Sequence, residues 1–598
     1  MLSSFQKLFS LFNRREKVKT LGLLVLMVVV ALMEMVGIGA IPAFILVVGS
    51  PEKVLAHPVS GAIADWLGVE NSYDLLVTGS IGLITLFIVK GLLISLVSYI
   101  RIRFVQYKYT ELSDRLFRAY MFAPFTFHLS RNSSGLLRNV INETSILMYS
   151  VFNPILNVVL NLITMGLIMA VLFAAQPLFS LVAMTALGLV TFGMLRFVQR
   201  QTAFFGKQEQ NHRQISNKAV MEGLAGIKDI RVLGRERFFT GLFAQSTAAR
   251  AKAQYFIGMV GAINRPVFET VTVVGVLALA LALSARDQSI ERIIAILALF
   301  GAATYRLMPL FQQLMADINS IRYYLPSIHP VYNDLNNINT IDEVPEKTIP
   351  KSLQFSQSIN FKSISYSYPD TNNKVVKDID LTIPFGSAVA FVGSSGAGKT
   401  TLADLLLGLL QPLEGTILVD GTDISTNLRA WQQNIGYIPQ NIYLADDTLR
   451  RNVAFGLPEE TISDAQFWSA VQAAQLTELI EQLPDKEHTL IGEAGIRLSG
   501  GQRQRIGIAR ALYHNPRLLV MDEGTSALDN VTEKFVIEAI ENLRHDRTIL
   551  MIAHRLTTVK NCDVIYYMEE GRIIDAGTYS ELLQRNPGFM QMASMVKK

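Results

Sequence analysis

"VAFVGSSGAGKTTLADLLLGLL", residues 389–410, passes from an apolar run through a glycine-rich loop into a helical pattern. Gly393 to Thr400 fit the spacing G-x-x-x-x-G-K-[ST], and the strand–loop–helix context gives that spacing its meaning. Glycines at 393, 396 and 398 let backbone N–H groups close around phosphates, with Ser394, Ser395 and Ala397 between them and Thr401 just after. Lys399 brings a point charge to the terminal phosphates, and Thr400 offers a hydroxyl to Mg²⁺. The following helix adds the positive end of its dipole. A second stretch, "RLLVMDEGTSALD" (517–529), runs four apolar residues into Asp522 and Glu523, as a buried strand would. Asp522 is placed to hold the Mg²⁺ shell, and Glu523 to polarise a water for attack on a γ-phosphate.

The composition is uneven. The chain has 598 residues, half of them hydrophobic and only 17% charged, against roughly 25% charged in soluble domains. The deficit falls in residues 1–325, so a membrane half precedes a soluble half. Six apolar segments lie near 21–49, 75–100, 153–175, 177–197, 266–285 and 292–320, each able to cross a hydrocarbon core of about 30 Å. Basic residues Lys7, Arg14, Arg15, Lys17 and Lys19 precede the first segment, and the long connections after the second and fourth are rich in Lys and Arg. All three belong on the cytoplasmic side. The first apolar run is longer than a secretory signal core and reads as a retained helix. Residues 59–72 form the largest external connection, with an amphipathic helix or an ordered loop as the alternatives. A net charge of +4 gives no case for nucleic-acid binding, and one cysteine, Cys562, excludes an intrachain disulfide.

Between these two motifs stands Leu498–Gln502, "LSGGQ", followed by "RQRIGIARAL". It resembles the signature sequence of ATP-binding cassette (ABC) proteins. The resemblance implies a membrane α-helical domain of six transmembrane helices, with type I/IV exporter architecture, joined to an α/β P-loop cassette. Expected boundaries are 1–330 for the membrane domain with its cytoplasmic extensions and coupling helices, 331–353 for a linker, and 354–598 for the cassette. The same resemblance implies that Tyr368 stacks on adenine and that Gln440 touches Mg²⁺ and the attacking water. It places Asp529 in the D-loop, His554 at the γ-phosphate, and Glu493 toward the membrane half. Ser499, Gly500, Gly501 and Gln502 would complete the ATP site of a partner cassette, so one cassette per chain implies a homodimer. Residues near 122–128 and 213–222 match the family's two coupling helices.

The cargo must be read from the membrane half. "AINRPVFET" (262–270) places Arg265 about 20 residues, or ~30 Å, from the external end near Ala285. Arg306 and Lys90 fall at about 21 and 24 Å in two other helices, as do two acids, Glu34 and Glu269, at about 24 Å. Arg265 can pair with Glu269 one turn away, and Lys90 or Arg306 with Glu34; the belt sums to one positive charge per chain. "FIVKGLLIS", "AINRPVFET", "TYRLMPLFQQL" and "IGYIPQNIYLADDTLRRNVAFG" are similar to the bacterial lipid-linked oligosaccharide flippases. These are multi-pass proteins of the inner membrane that move a polyprenyl-pyrophosphate glycan outward. Lys90 stands where that group tends to carry Arg. The resemblance implies that Lys90, Arg265 and Arg306 hold an anionic lipid-linked glycan, with membrane lipid around its tail. A lipid or multidrug exporter is the alternative, and an ATP-gated channel or sensor the remote one.

Overall fold

The computed structural model describes residues 2–49, 51–55, 68–69, 71–284, 290–338, 353–369, 371, 373–492, 498–522, 546–553, 555–556 and 558–595. The chain forms two compact units. One comprises Met1–Phe122 and Asn132–Asn339, the other Ala123–Arg131 and Thr340–Lys598.

The first unit is all helix. A short α1 (Leu2–Ser10) leads into α2 (Arg14–Gly49), a single turn and a half α3 (Pro51–Leu55) and the long α4 (Ser72–Met121). After α5 (Phe125–Leu129), which belongs to the other unit, come α6 (Ser133–Ala175), α7 (Pro177–Ala225), α8 (Ile227–Leu233), α9 (Glu236–Ser284), α10 (Ile290–Tyr324) and α11 (Ile328–Asn337). Among the described residues, α2, α4, α6 and the Pro266–Ser284 part of α9 are long and apolar enough to cross a membrane; α7 and α10 are the other two long helices. α4 leaves Ile81, Ile84, Ile88, Leu92 and Leu96 exposed at helical spacing, the stripe expected of a surface that meets lipid rather than water. Expected residues 59–72 fall almost wholly outside the described residues.

Two features of this unit differ from a simple bundle. The N-terminal part of α6 contains two π-helical stretches, Asn139–Glu143 and Leu147–Phe152. The second supplies Leu147, Met148, Val151 and Phe152, all fully buried, to a cluster with Leu8, Leu112, Ile328 and Val331. In addition, 213–222 is no separate coupling helix; it is the last part of α7. The chain breaks later, at Gly226, and the short α8 ends at Gly234, whose φ of 62° is the left-handed cap glycine adopts without strain. Periodicity ran through 213–222 without interruption, and the two glycines mark where the helix is released.

The buried charge at the start of α2 is paired. Lys108 is fully buried on α4, with its ammonium 2.7 Å from Glu16 of α2 and also paired with Glu111. Glu16 also accepts the N–H of Asn13 at 2.7 Å, which holds the start of α2. The acid of "NRREKVKT" is thus turned inward, while Arg14, Arg15, Lys17 and Lys19 are exposed.

The second unit carries two sheets. The first, in order β2 (Val376–Pro384), β1 (Ser358–Tyr366), β4 (Glu414–Val419), β5 (Thr422–Asp423), is antiparallel. The second runs β10 (Arg572–Gly577), β9 (Val564–Glu569), β3 (Ala388–Gly393), β8 (Thr548–Ala553), β7 (Leu518–Asp522), β6 (Ile435–Ile438). All its neighbours are parallel except the edge pair β9–β10. Every residue of β3 is buried, as a central parallel strand covered on both faces requires. Between the sheets, α12 (Lys399–Leu406) contributes Leu402, Ala403, Leu405 and Leu406 to a core with Phe361, Ile379, Phe391 and Trp431. Phe125 of α5 packs on this same core. Cys562 is buried in a smaller cluster with Val559, Leu582 and Phe589.

Candidate functional site

The loop Gly393–Gly398 links β3 to α12 at the C-terminal edge of the parallel sheet, where open α/β sheets bind ligands. A side chain could not replace Gly393: its Cβ would lie 2.1 Å from the carbonyl of Met568 on β9. Ser394, Ser395 and Gly396 are exposed at the loop's crest, while Ala397, Gly398 and Lys399 are buried beneath it. The Lys399 ammonium donates to the carbonyls of Gly393 (2.9 Å) and Ser394 (2.8 Å) and is 3% exposed. Its charge therefore already sits at the centre of the loop. Thr400 is exposed at the first turn of α12, and the Tyr368 and Thr401 hydroxyls are 3.1 Å apart. The edge of Tyr366 meets the Tyr368 ring with centroids 5.3 Å apart, which leaves Tyr368 half-buried beside the loop.

Parallel strand ends bring the remaining polar groups to the same edge. β7 ends in Asp522, half-buried, and Gln440 is exposed two residues beyond β6. Sequence reasoning missed Asp404, on α12 one turn beyond Thr400. Burial, and then the charge of Asp522, push its carboxyl up to about 6. Tyr437 of β6 is pushed up to about 12 by burial and by the charges of Asp522 and Asp404. Side chains of Asp404, Tyr437 and Asp522, from three elements, therefore lie within electrostatic reach of one another, and only tertiary packing brings them there. Hydroxyl, carboxylate and amide oxygens are hard donors, the set that suits Mg²⁺. Thr400, Asp522 and Gln440 fit that ion.

Asn452 is a second hub that the sequence reading missed. It lies on α13 (Leu449–Val453) and is fully buried. Its amide donates to the carbonyls of Ala445 (3.0 Å) and Thr448 (3.1 Å) and accepts the N–H of Ala445 (2.9 Å). Arg510 donates to the carbonyls of Asn452 (2.8 Å) and Tyr443 (2.7 Å). The segment just after Gln440 is thus fixed to α14 (Gly500–Leu512), the helix that follows "LSGG".

Ser499 is the N-cap of α14. Its hydroxyl accepts the Gln502 N–H (3.2 Å), and its own N–H donates to the Gln502 side chain (2.8 Å), a complete capping box. Ser499 is exposed, and Gly500 and Gly501 are half-buried, so the N-terminus of a 13-residue helix opens outward. Such an end attracts an anion. Glu493, Glu523, Asp529 and His554 lie outside the described residues.

In the membrane-spanning unit, Glu34 of α2 is 2% exposed. It pairs with Arg306 of α10, and the Lys90 ammonium of α4 lies 3.0 Å from its second oxygen. Gly37, one turn along α2, makes room for Lys90: a Cβ there would stand 3.2 Å from the ammonium. Both expected partners of Glu34 are therefore used, not one. The side chain of Arg265 lies outside the described residues, and Glu269 is exposed.

Residues 20–318 match the family model of the ABC transporter transmembrane region, and residues 376–526 match that of the ABC transporter. The chain belongs to the ABC transporters. Its cassette binds ATP, and it is a multi-pass membrane ATPase that couples hydrolysis to transport, of the exporter type. Over 463 residues it is 31% identical to the heterocyst differentiation ATP-binding protein HepA of Nostoc sp., covering 77% of this chain and 74% of the relative. Over 573 residues it is 29% identical to the ATP-dependent lipid A-core flippase of Methylococcus capsulatus, covering 95% and 92%. A solved structure of a bacterial Atm1-family ABC exporter with ATP bound superposes with a TM-score of 0.73 at 23% identity, over 97% of this chain and 98% of that one. It supports the six-helix exporter fold with its P-loop cassette.

Proposed function

We propose that this transporter flips a lipid-linked oligosaccharide, a polyprenyl-pyrophosphate glycan, outward across the bacterial inner membrane as a homodimer. The observation that carries the reading is the meeting of Lys90 and Arg306, from two helices, on the buried Glu34. Two cations against one acid leave a positive excess within the membrane, where unneutralised charge is costly and marks a function. A pyrophosphate needs such a counter-charge, and Arg suits its geometry. Arg265 is assigned as a third contact. A relative named as a lipid A-core flippase supports a lipid-borne cargo.

ATP would bind with its phosphates in the loop Gly393–Thr400, its adenine on Tyr368, and Mg²⁺ held by Thr400, Asp522 and Gln440. Glu523 acts as the base, His554 contacts the γ-phosphate, and Asp529 lines the dimer interface. Ser499, Gly500, Gly501 and Gln502 close the partner's site, with the exposed end of α14 toward its γ-phosphate. α5 and α8 are assigned the coupling role.

The test is ATP-dependent movement of a labelled polyprenyl-pyrophosphate oligosaccharide in proteoliposomes, run beside drug-like amphiphiles. The glycan should be flipped, and Arg265→Ala should slow flipping more than ATPase. Movement of the amphiphiles alone would overturn the cargo, and equal loss of both activities would make Arg265 structural.

A further inference from the structure

We propose that Glu34 is a resident counter-anion: it occupies Lys90 and Arg306 while the membrane cavity is empty and competes with the cargo's phosphates for them. The inference rests on the anionic cargo proposed above but concerns a residue of opposite charge.

Glu34 is 2% exposed, whereas its partners are less enclosed, Lys90 at 13% and Arg306 at 39%. The acid is therefore the shielded member and the cations are the members an incoming group can reach. Arg306 donates to one carboxylate oxygen. Lys90 lies 3.0 Å from the other, yet that oxygen has no hydrogen bond in line. Charge attraction to Glu34 and the face of the Phe87 ring, 4.7 Å away, hold Lys90 without a directed hydrogen bond to the acid. The Arg306 Nε–H is buried without an acceptor among the described residues. The cluster thus holds an unused donor, an oxygen without a directed bond and one surplus positive charge.

A phosphate fits what is missing. It brings several acceptor oxygens for the guanidinium and the ammonium, and it neutralises the surplus. To bind fully it must draw Lys90, and part of Arg306, from Glu34. Gly37 leaves the space in which the Lys90 stem lies. The apparent affinity is then the intrinsic affinity reduced by the fraction of molecules whose cations are released. A transporter benefits from that reduction: a headgroup held by two unopposed buried cations would leave slowly, and release often limits turnover. Glu34 recapturing its partners on the outward side would help expel the cargo. This predicts a split that a merely structural acid would not give. Removing the acid should tighten binding and slow turnover together.

The experiment uses the full-length dimer in nanodiscs of zwitterionic lipid, with undecaprenyl diphosphate as the probe and undecaprenol as the neutral control. ATPase stimulation gives a half-saturating concentration and a maximal rate. Glu34→Gln should lower the half-saturating diphosphate concentration by about tenfold, as expected if about one empty molecule in ten has released cations. It should also reduce the stimulated maximum, with no change in the response to undecaprenol. Glu34→Asp keeps the charge but withdraws it by one methylene, so it is the variant least prone to misfold; a shift in the same direction, smaller in size, is expected. Diphosphate stimulation of the wild type with unchanged or weakened half-saturation in both variants overturns the role of Glu34 and leaves the cargo proposal standing. A wild type that does not distinguish diphosphate from undecaprenol overturns both.

Discussion

Asp404 illustrates how one side chain sets the pH response of the nucleotide site. Its carboxyl is raised to about 6 by burial first and by Asp522 second. An acid with a raised folded-state value resists ionisation in the folded protein but not in the unfolded chain. Its cost is therefore absent below the unfolded value of 3.8, grows as pH rises, and is complete above about 6. In nucleotide-free protein with chelator present, Asp404→Asn should stabilise the cassette at pH 7.5. The group is partly open to solvent, so the gain is on the order of 1–2 kcal/mol rather than the full linkage value. Thermal unfolding at pH 7.5 and pH 5 checks the sign: the gain must shrink at the lower pH, and a gain that grows there would refute the account. Asn452 makes a harsher case. It is fully buried with four hydrogen bonds to Ala445, Thr448 and Arg510. Asn452→Ala should cost roughly 2–4 kcal/mol by leaving backbone groups unmet. Lower expression and a reduced unfolding temperature are the readouts.

At the scale of elements, α14 combines two duties in one residue. Ser499 caps the helix and stands at its exposed positive end. Ser499→Ala removes the cap at a cost of about 1 kcal/mol. If the hydroxyl also faces a partner's γ-phosphate, ATPase should fall at least about tenfold, more than that cost explains. Ser499→Asp separates the duties. A carboxylate caps well but repels phosphate, so stability should return and ATPase should not. Recovery of both would reduce Ser499 to a cap. Elements were also where the sequence was most and least readable. The apolar strand, the glycine loop and the helix after it lie consecutively in the chain, so residues 389–410 disclosed β3, the loop and α12 directly. The end of α7 was missed because helical periodicity continues through 213–222, although Gly226 and Gly234 could have marked α8. The π-helical stretches of α6 have no signature in composition. Depth counting put Glu34, Lys90 and Arg306 at one level. It could not show that both cations turn to the same acid, because rotation of each helix about its axis is set by packing. Asp404, Tyr437 and Asp522 come from three separated stretches, and only the strand pairing and the packing of α12 on the sheet bring them together.

For the whole molecule, transport requires that ATP closure and reset be separable steps. Glu523→Gln removes the proposed base while leaving the phosphate loop intact. ATP turnover should fall by roughly 10²–10⁴, while ATP remains bound and the proposed dimer stays closed. Retained full turnover would remove Glu523 from that role. Following such closure is simplified by Cys562, the one cysteine in 598 residues, which is packed behind Val559, Leu582 and Phe589. A buried thiol reacts slowly with added reagents. The natural chain therefore supplies a nearly silent background for spectroscopic labels. A single cysteine introduced on an exposed position of α4 would place one reporter in each protomer of the proposed homodimer. The distance between the two would then follow the membrane cavity through the ATP cycle without first rebuilding the protein.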